Sequence, residues 1–191
     1  KISSDGGKLL SSLGYRISRD TRDNRFNPTS GYYYALSEQF AGLGGDVNYL
    51  SSVLKGSYYY KYDYVDLIVG IGAEYGNIEG LGENISKSNR FFLGGRKIRG
   101  FDSSGVGPRV SANSSASAVG GNNYYTGRVS IRSGIGIPSE TALQWTVFTD
   151  FGTLWGVDDT IDNYSVNTDQ KELRMSFGYG FQWETPIGPL S

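Results

Sequence analysis

The chain has 191 residues and a formal net charge of −1; charged residues are sparse (19%), whereas Gly (28) and Tyr (15) are abundant. This composition excludes a disordered chain, which is poor in aromatics, and a helical bundle, because Gly and β-formers make poor helices. With no Cys and no His, disulfide frameworks, Cys/His metal sites and catalysis by imidazole or thiol are excluded, and the near-neutral charge supplies no global field for nucleic acid.

Period-two alternation is the dominant signal, in stretches longer than ordinary strands. Stretches 9–19, 31–41 and 47–60 come first and alternate unevenly, with Glu38 and Lys55 interrupting whichever face is chosen. Over 64–76, Val65, Leu67, Val69, Ile71, Ala73 and Tyr75 oppose Asp66, Gly70, Gly72, Glu74 and Gly76, and Ile68 alone breaks the rule. Over 124–137, Val129, Ile131, Ile135 and Ile137 oppose Arg128, Ser130, Arg132, Gly134 and Gly136. Over 143–155, Leu143, Trp145, Val147, Phe151 and Trp155 oppose Gln144, Thr146, Asp150 and Gly152. The cleanest stretch is 173–184. There Leu173, Met175, Phe177, Tyr179, Phe181 and Trp183 oppose Arg174, Ser176, Gly178, Gly180, Gln182 and Glu184.

Seven strands are therefore predicted, with the start of an eighth at Ile187. Tight connections near 61–63, 138–141 and 185–189 carry Asp or Pro. They alternate with long ones at 78–122 and 156–170, rich in Gly, Ser and Asn. Short turns on one rim and long loops on the other is the arrangement of outer-membrane barrels, and a loop as long as 78–122 suggests a function. A soluble β-sandwich also alternates. Strand lengths suited to crossing a hydrocarbon layer, and aromatics at strand ends (Tyr64, Tyr75, Tyr124, Tyr125, Trp155, Trp183), favour the barrel. No helical span is predicted, since no run of about 18 apolar residues exists.

The expected fold is all-β: a transmembrane antiparallel up-and-down barrel, of which residues 1–191 form an incomplete portion of one domain. Bacterial single-chain barrels have even strand numbers, and an open sheet edge cannot face lipid. The remaining strands are expected before Lys1 and after Ser191, and both ends read as cut.

Within the long loop lies Phe91-Phe92-Leu93-Gly94-Gly95-Arg96-Lys97-Ile98-Arg99-Gly100-Phe101, followed by Gly107-Pro108-Arg109. This closely resembles the signature of the BamA family of bacterial surface antigens, the central subunits of the β-barrel assembly machinery. The similar stretches continue in the same order along the chain. They are Asp20-Thr21-Arg22-Asp23-Asn24 with Asn27-Pro28-Thr29-Ser30-Gly31, then Gly120-Gly121-Asn122, Phe148 to Trp155, and Pro186 to Leu190.

The resemblance implies a sixteen-stranded barrel preceded by periplasmic repeats. It implies a loop that folds into the lumen, where its arginine pairs with acidic wall residues. Arg99 matches the arginine and Asp150 an acidic partner. Asp150 also lies on the polar face of its strand, near the rim on which the Arg99 loop opens. A guanidinium in a confined lumen favours a bidentate carboxylate contact. The expected loop–barrel lock is thus Arg99, Gly100, Phe101 and Asp150, with Gly94, Gly95 and Ile98 as supporting motif residues. Gly100 permits a tight backbone and Phe101 anchors the loop apolarly. The family's second acidic position is missing: the strand after the loop offers Ser130 and Arg132, with no carboxylate between Asp102 and Glu140. Either Asp150 acts alone or Arg132 meets another loop group.

Arg16, Asp66, Glu74, Arg128, Arg174 and Glu184 read as solvated pore lining, and Gly70, Gly72 and Gly76 as room for the inserted loop. Asp150-Phe151-Gly152 lacks the companion motifs of a kinase. The sequons at Asn84, Asn113 and Asn163 mark only hydrophilic loops. No catalytic residue, cofactor site or metal site is predicted, and the chain does not read as an enzyme. The resemblance implies an outer-membrane insertase whose partners are lipids, unfolded client proteins and periplasmic or lipoprotein subunits, without nucleic acid. A secretion pore of the same superfamily, a passive porin and the carrier of an upstream enzyme are the rival readings.

Overall fold

The computed structural model describes residues 8–112, 115–134, 143–157, 166–167, 171–185 and 188–190. Strands β1 (Ser12–Asp20), β2 (Gly31–Ala41), β3 (Tyr49–Tyr62) and β4 (Leu67–Gly80) precede the long loop. Within that loop lie β5 (Arg109–Ala112) and β6 (Ser115–Ala118). After it come β7 (Asn123–Gly134), β8 (Leu143–Trp155), β9 (Val166–Asn167), β10 (Arg174–Thr185) and β11 (Gly188–Leu190). Eight of them form one antiparallel sheet in the order β1-β2-β3-β4-β7-β8-β10-β11. The sheet is the wall of an up-and-down barrel and is not closed within this chain.

Alternation decides the two faces because successive side chains along a strand point opposite ways. On β10, Phe177 and Tyr179 stand 78% and 79% exposed, which rules out a dry core between stacked layers. Leu54, Tyr58, Ile71 and Tyr75 share that outward, exposed face. The inner face is mostly small, polar or charged, with Phe148 and Leu154 among the apolar exceptions. One ladder row across it reads Asp20, Tyr33, Ser57, Gly72, Arg128, Asp150 and Ser176. Glu38, which obscured the pattern of β2, faces outward and accepts a hydrogen bond from the Tyr15 hydroxyl. Lys55 faces inward, paired across the ladder with Glu74.

Several strand ends differ from those read in the sequence, most clearly those of β4. The β3–β4 ladder continues to Tyr62 opposite Leu67, so Tyr64 and Val65 lie in the turn and not on a strand. Asp66 closes that turn with φ 45°, a left-handed position that Asp tolerates. At the other end β4 runs to Gly80, beyond the expected start of the loop at 78. The two long connections also pair with each other: β5 sits between β6 and β9 in a separate three-stranded sheet. Ile135, Ile137 and the turn 138–141 lie outside the described residues.

Connection 21–30 shares the rim of the β3–β4 turn, yet it is not a tight turn. It is organised by its own polar groups. Asp23 accepts hydrogen bonds from the Thr29 amide (2.9 Å), the Thr29 hydroxyl (2.6 Å) and the Ser30 amide (3.1 Å). Asn24 caps the amides of Phe26 and Asn27. Burial alone would raise the Asp23 carboxyl, but these donors outweigh it and hold it at about 2, below its ordinary 3.8.

Two outcomes are expected. Because the folded value lies below the unfolded one, the Asp23 contribution is complete above about pH 4 and disappears as pH falls through about 2. Amide-exchange protection of Thr29 and Ser30 should fall across that window, and Asp23→Asn should show weaker protection at neutral pH without the pH dependence. On the wall, Tyr179→Arg should cost about 2–4 kcal/mol in equilibrium unfolding from lipid vesicles, the cost of a cation on the lipid face. Gly180→Ser on the inner face should cost no more than about 0.5 kcal/mol, since a Cβ there meets only Thr146 Cγ2 at 3.7 Å.

Candidate functional site: a loop held against the inner wall

The long loop leaves β4 and returns to β7 with its tip lying on the inner face of the wall. Its base is zipped by Phe91 and Gly121, which exchange backbone hydrogen bonds of 3.0 Å in each direction. Beyond the base the loop builds a small core of its own. Leu93, Ile98 and Val106 pack against Tyr124 and Leu154 of the wall, and Phe91 and Phe101 cover the cluster.

The motif residues make the tip possible. Gly94 and Gly100 hold φ of 136° and 85°. A Cβ on Gly94 would also collide with the Asp102 carbonyl oxygen, so the close turn requires glycine there. The Gly95 amide donates to the Phe101 carbonyl at 2.9 Å and the Lys97 amide to the Gly94 carbonyl at 3.1 Å. Ile98 is fully buried, and its Cδ1 lies 2.9 Å from where a Cβ of Gly152 would stand. Gly152 is thus the wall glycine that receives the loop. Gly70 instead makes room for Tyr59 and Ser130, and Gly76 for the ring of Tyr124.

Arg99 and Asp150 are brought together. Arg99 Nε and Nη2 donate to Asp150 Oδ2 and Oδ1 at 2.7 and 2.8 Å, a bidentate contact, and the Arg99 amide adds a bond of 3.1 Å. The guanidinium also lies over the ring of Phe148, its central carbon 3.2 Å from the centroid. Asp150 is wholly buried, whereas the Arg99 side chain is 36% exposed. A buried carboxylate needs its lone pairs filled, so each of these donors matters.

Sequence reading missed a second arginine at this carboxylate. Arg128, directly opposite Asp150 on β7, donates through Nε to Oδ1 at 2.8 Å and through Nη2 to Oδ2 at 3.3 Å. The same Nη2 donates to the carbonyl oxygen of Arg96 in the loop at 3.0 Å. Arg128 is therefore not solvated pore lining but a tie between wall and loop. The Arg132 guanidinium carbon lies over the ring of Tyr59, 5.8 Å from its centroid.

Glu74 was also read as pore lining and is a second anchor. Lys97 of the loop lies 2.7 Å from Glu74 Oε1 and donates to the Tyr124 hydroxyl at 2.8 Å. That hydroxyl donates in turn to Glu74. Of the other charges, Arg16 donates to the Tyr33 hydroxyl, Asp66 pairs with Lys61 at the turn, and Arg174 pairs with Glu172. Glu184 lies in a stretch whose side chains are outside the description.

The site is thus a glycine-framed arginine, carried by a re-entering loop, on a buried carboxylate of the wall. The family model for the Omp85 superfamily domain matches residues 2–191. The chain belongs to the Omp85 superfamily. It is 35% identical over 189 residues to the outer membrane protein assembly factor BamA of Neorickettsia risticii, covering 98% of this chain and 25% of that protein. It is 33% identical over 114 residues to a SAM50-like protein of Drosophila melanogaster, covering 56% of this chain and 25% of that protein. The crystal structure of Haemophilus ducreyi BamA lacking POTRA domains 1–3 superposes with a TM-score of 0.77 at 19% identity. That match covers 93% of this chain and 37% of the other, and supports the fold. The chain thus spans about a quarter of the length of the curated relatives it matches.

Within this Omp85 wall the two arginines predict an order of effects. Asp150→Asn leaves both guanidiniums facing a neutral amide at a buried site and should cost about 3–5 kcal/mol. Arg99→Ala leaves Asp150 still paired with Arg128 and should cost about 1.5–3 kcal/mol. The reciprocal exchange Arg99→Asp with Asp150→Arg sets a new cation against Arg128, so it should recover little. Urea unfolding of the full-length variants in detergent measures all three, and equal losses for Arg99→Ala and Asp150→Asn would contradict the shared-carboxylate arrangement.

Proposed function

We propose that this chain is the wall-and-loop section of an outer-membrane assembly factor, a barrel that folds and inserts other β-barrel proteins into the bacterial outer membrane. The observation that carries the reading is the loop docked through Arg99 onto Asp150, in a chain alignable over nearly its whole length with an assembly factor. On this reading the rest of the protein supplies periplasmic repeats that receive unfolded clients, and the strands that complete the barrel. Its partners are outer-membrane lipids, unfolded client barrels and periplasmic or lipoprotein subunits.

The mechanism requires no chemical energy source. A client strand gains by pairing its amides and by burying an apolar face in lipid. An assembly barrel lowers the kinetic barrier by offering a strand edge as template and disturbing the bilayer beside it. The role proposed for Arg99, Gly100, Phe101 and Asp150 is to lock the loop on the inner wall, so that this part of the barrel stays rigid while strands exchange elsewhere. Gly94, Gly95 and Ile98 shape and seat the loop.

Reconstitution tests this reading. Full-length protein in proteoliposomes should raise the folding rate of a urea-unfolded client barrel above that in empty liposomes. Asp150→Asn, inserted in equal amount, should lower that rate. A wild-type rate no higher than that of empty liposomes would refute the assembly reading.

A further inference from the structure

Between the loop tip and the wall lies a cavity of about 430 Å³, and the side chains of two of its lining cations, Lys55 and Arg96, take no part in holding the loop. Its cationic lining is Arg22, Lys55, Arg96, Lys97 and Arg128, against a single lining carboxylate, Glu74. Even when the partners just behind the lining, Asp20 for Arg22 and Asp150 for Arg128, are counted, positive charge remains in surplus. Glu74 is already engaged by Lys97 and Tyr124, and Lys55 reaches it only at 3.7 Å. Arg96 lines the cavity, and its side chain makes no ion pair among the described residues.

The floor is open for a physical reason. Ser57 and Gly72 lie opposite each other on the ladder, and a Cβ on Gly72 would find nothing nearer than the Gly56 carbonyl oxygen at 3.7 Å. Two hydroxyl-bearing residues, Ser57 and Tyr59, also line the cavity. Confined cations of one sign, with hydroxyl donors and a side-chain-free floor, make a receptor for a compact multivalent anion. Arginine is suited to oxyanions because its planar fork matches two oxygens at once.

We propose that this cavity binds a phosphate-type oxyanion, with Arg96 and Lys55 as principal ligands and Arg128 and Ser57 beside them. Free phosphate and the phosphodiester of a lipid head group share this chemistry. The inference goes beyond the assembly reading and does not depend on it.

Calorimetric titration of inorganic phosphate into the full-length protein in zwitterionic nanodiscs should show saturable binding. Arg96→Ala removes a charge-assisted contact and should weaken it about tenfold. Gly72→Leu fills the floor without changing any charge and should abolish it. Retention of the compact form on unheated gels shows that each variant is folded. If Gly72→Leu fails that control, Lys55→Ala takes its place, with a loss of about tenfold expected. Nanodiscs containing phosphatidylglycerol identify the source. A fall in apparent phosphate affinity there, seen in wild type and not in Arg96→Ala, supports the site and assigns it to a head group; an unchanged affinity supports it and assigns it to free phosphate. Absence of saturable binding to wild type, or binding equal to wild type in the folded variants, overturns the proposal. Because the readout is ligand binding, its failure is distinct from failure of the client-folding assay.

Discussion

The Asp150 carboxylate, withdrawn completely from solvent, is the constraint around which this part of the barrel is arranged. A carboxylate in that position is unfavourable unless its oxygens are filled by good donors. Here they are filled from two directions: Arg99 arrives from the loop with its side chain and its own amide, and Arg128 from the adjacent strand. The loop tip consequently has one place to sit. Phe148 beneath the guanidinium and Gly152 beside Ile98 shape that place.

The wall satisfies two solvents at once. Its backbone is paired strand to strand, as a hydrocarbon layer demands, and its side chains divide by parity. Most outward positions carry large apolar groups, and most inward positions carry small or polar ones that leave space for a loop. Polar chemistry is therefore concentrated on one face. The same division places Lys97, Glu74 and Tyr124 together and leaves a cationic cavity between loop and wall.

Much of this was legible in the residues, because alternation reports directly on which face meets which environment. The cores of the seven strands, the outward aromatics of β10 and the inward facing of Asp150 all follow from parity. So does Phe148, two residues from Asp150 and hence on the same face, although an aromatic on the polar side is easily passed over. Strand ends were less legible. The β3–β4 ladder ends at Tyr62 and Leu67 because pairing and the left-handed Asp66 close the turn there, and neither leaves a periodic trace. The small sheet of β5, β6 and β9 joins two long connections through pairing that no local pattern announces.

The sequence by itself determined the class of fold, the sidedness of the wall and the glycine-framed arginine of the loop, since each depends on residue type and near-neighbour spacing. Only the tertiary structure decided which charges meet. Arg128 and Glu74 looked like solvated lining because their partners lie across a ladder or in a distant loop, and register between strands is set by backbone pairing along their whole length. Whether a lumen charge is wet or buried is a property of what folds over it, and the loop that covers Asp150 reaches it from 51 residues away.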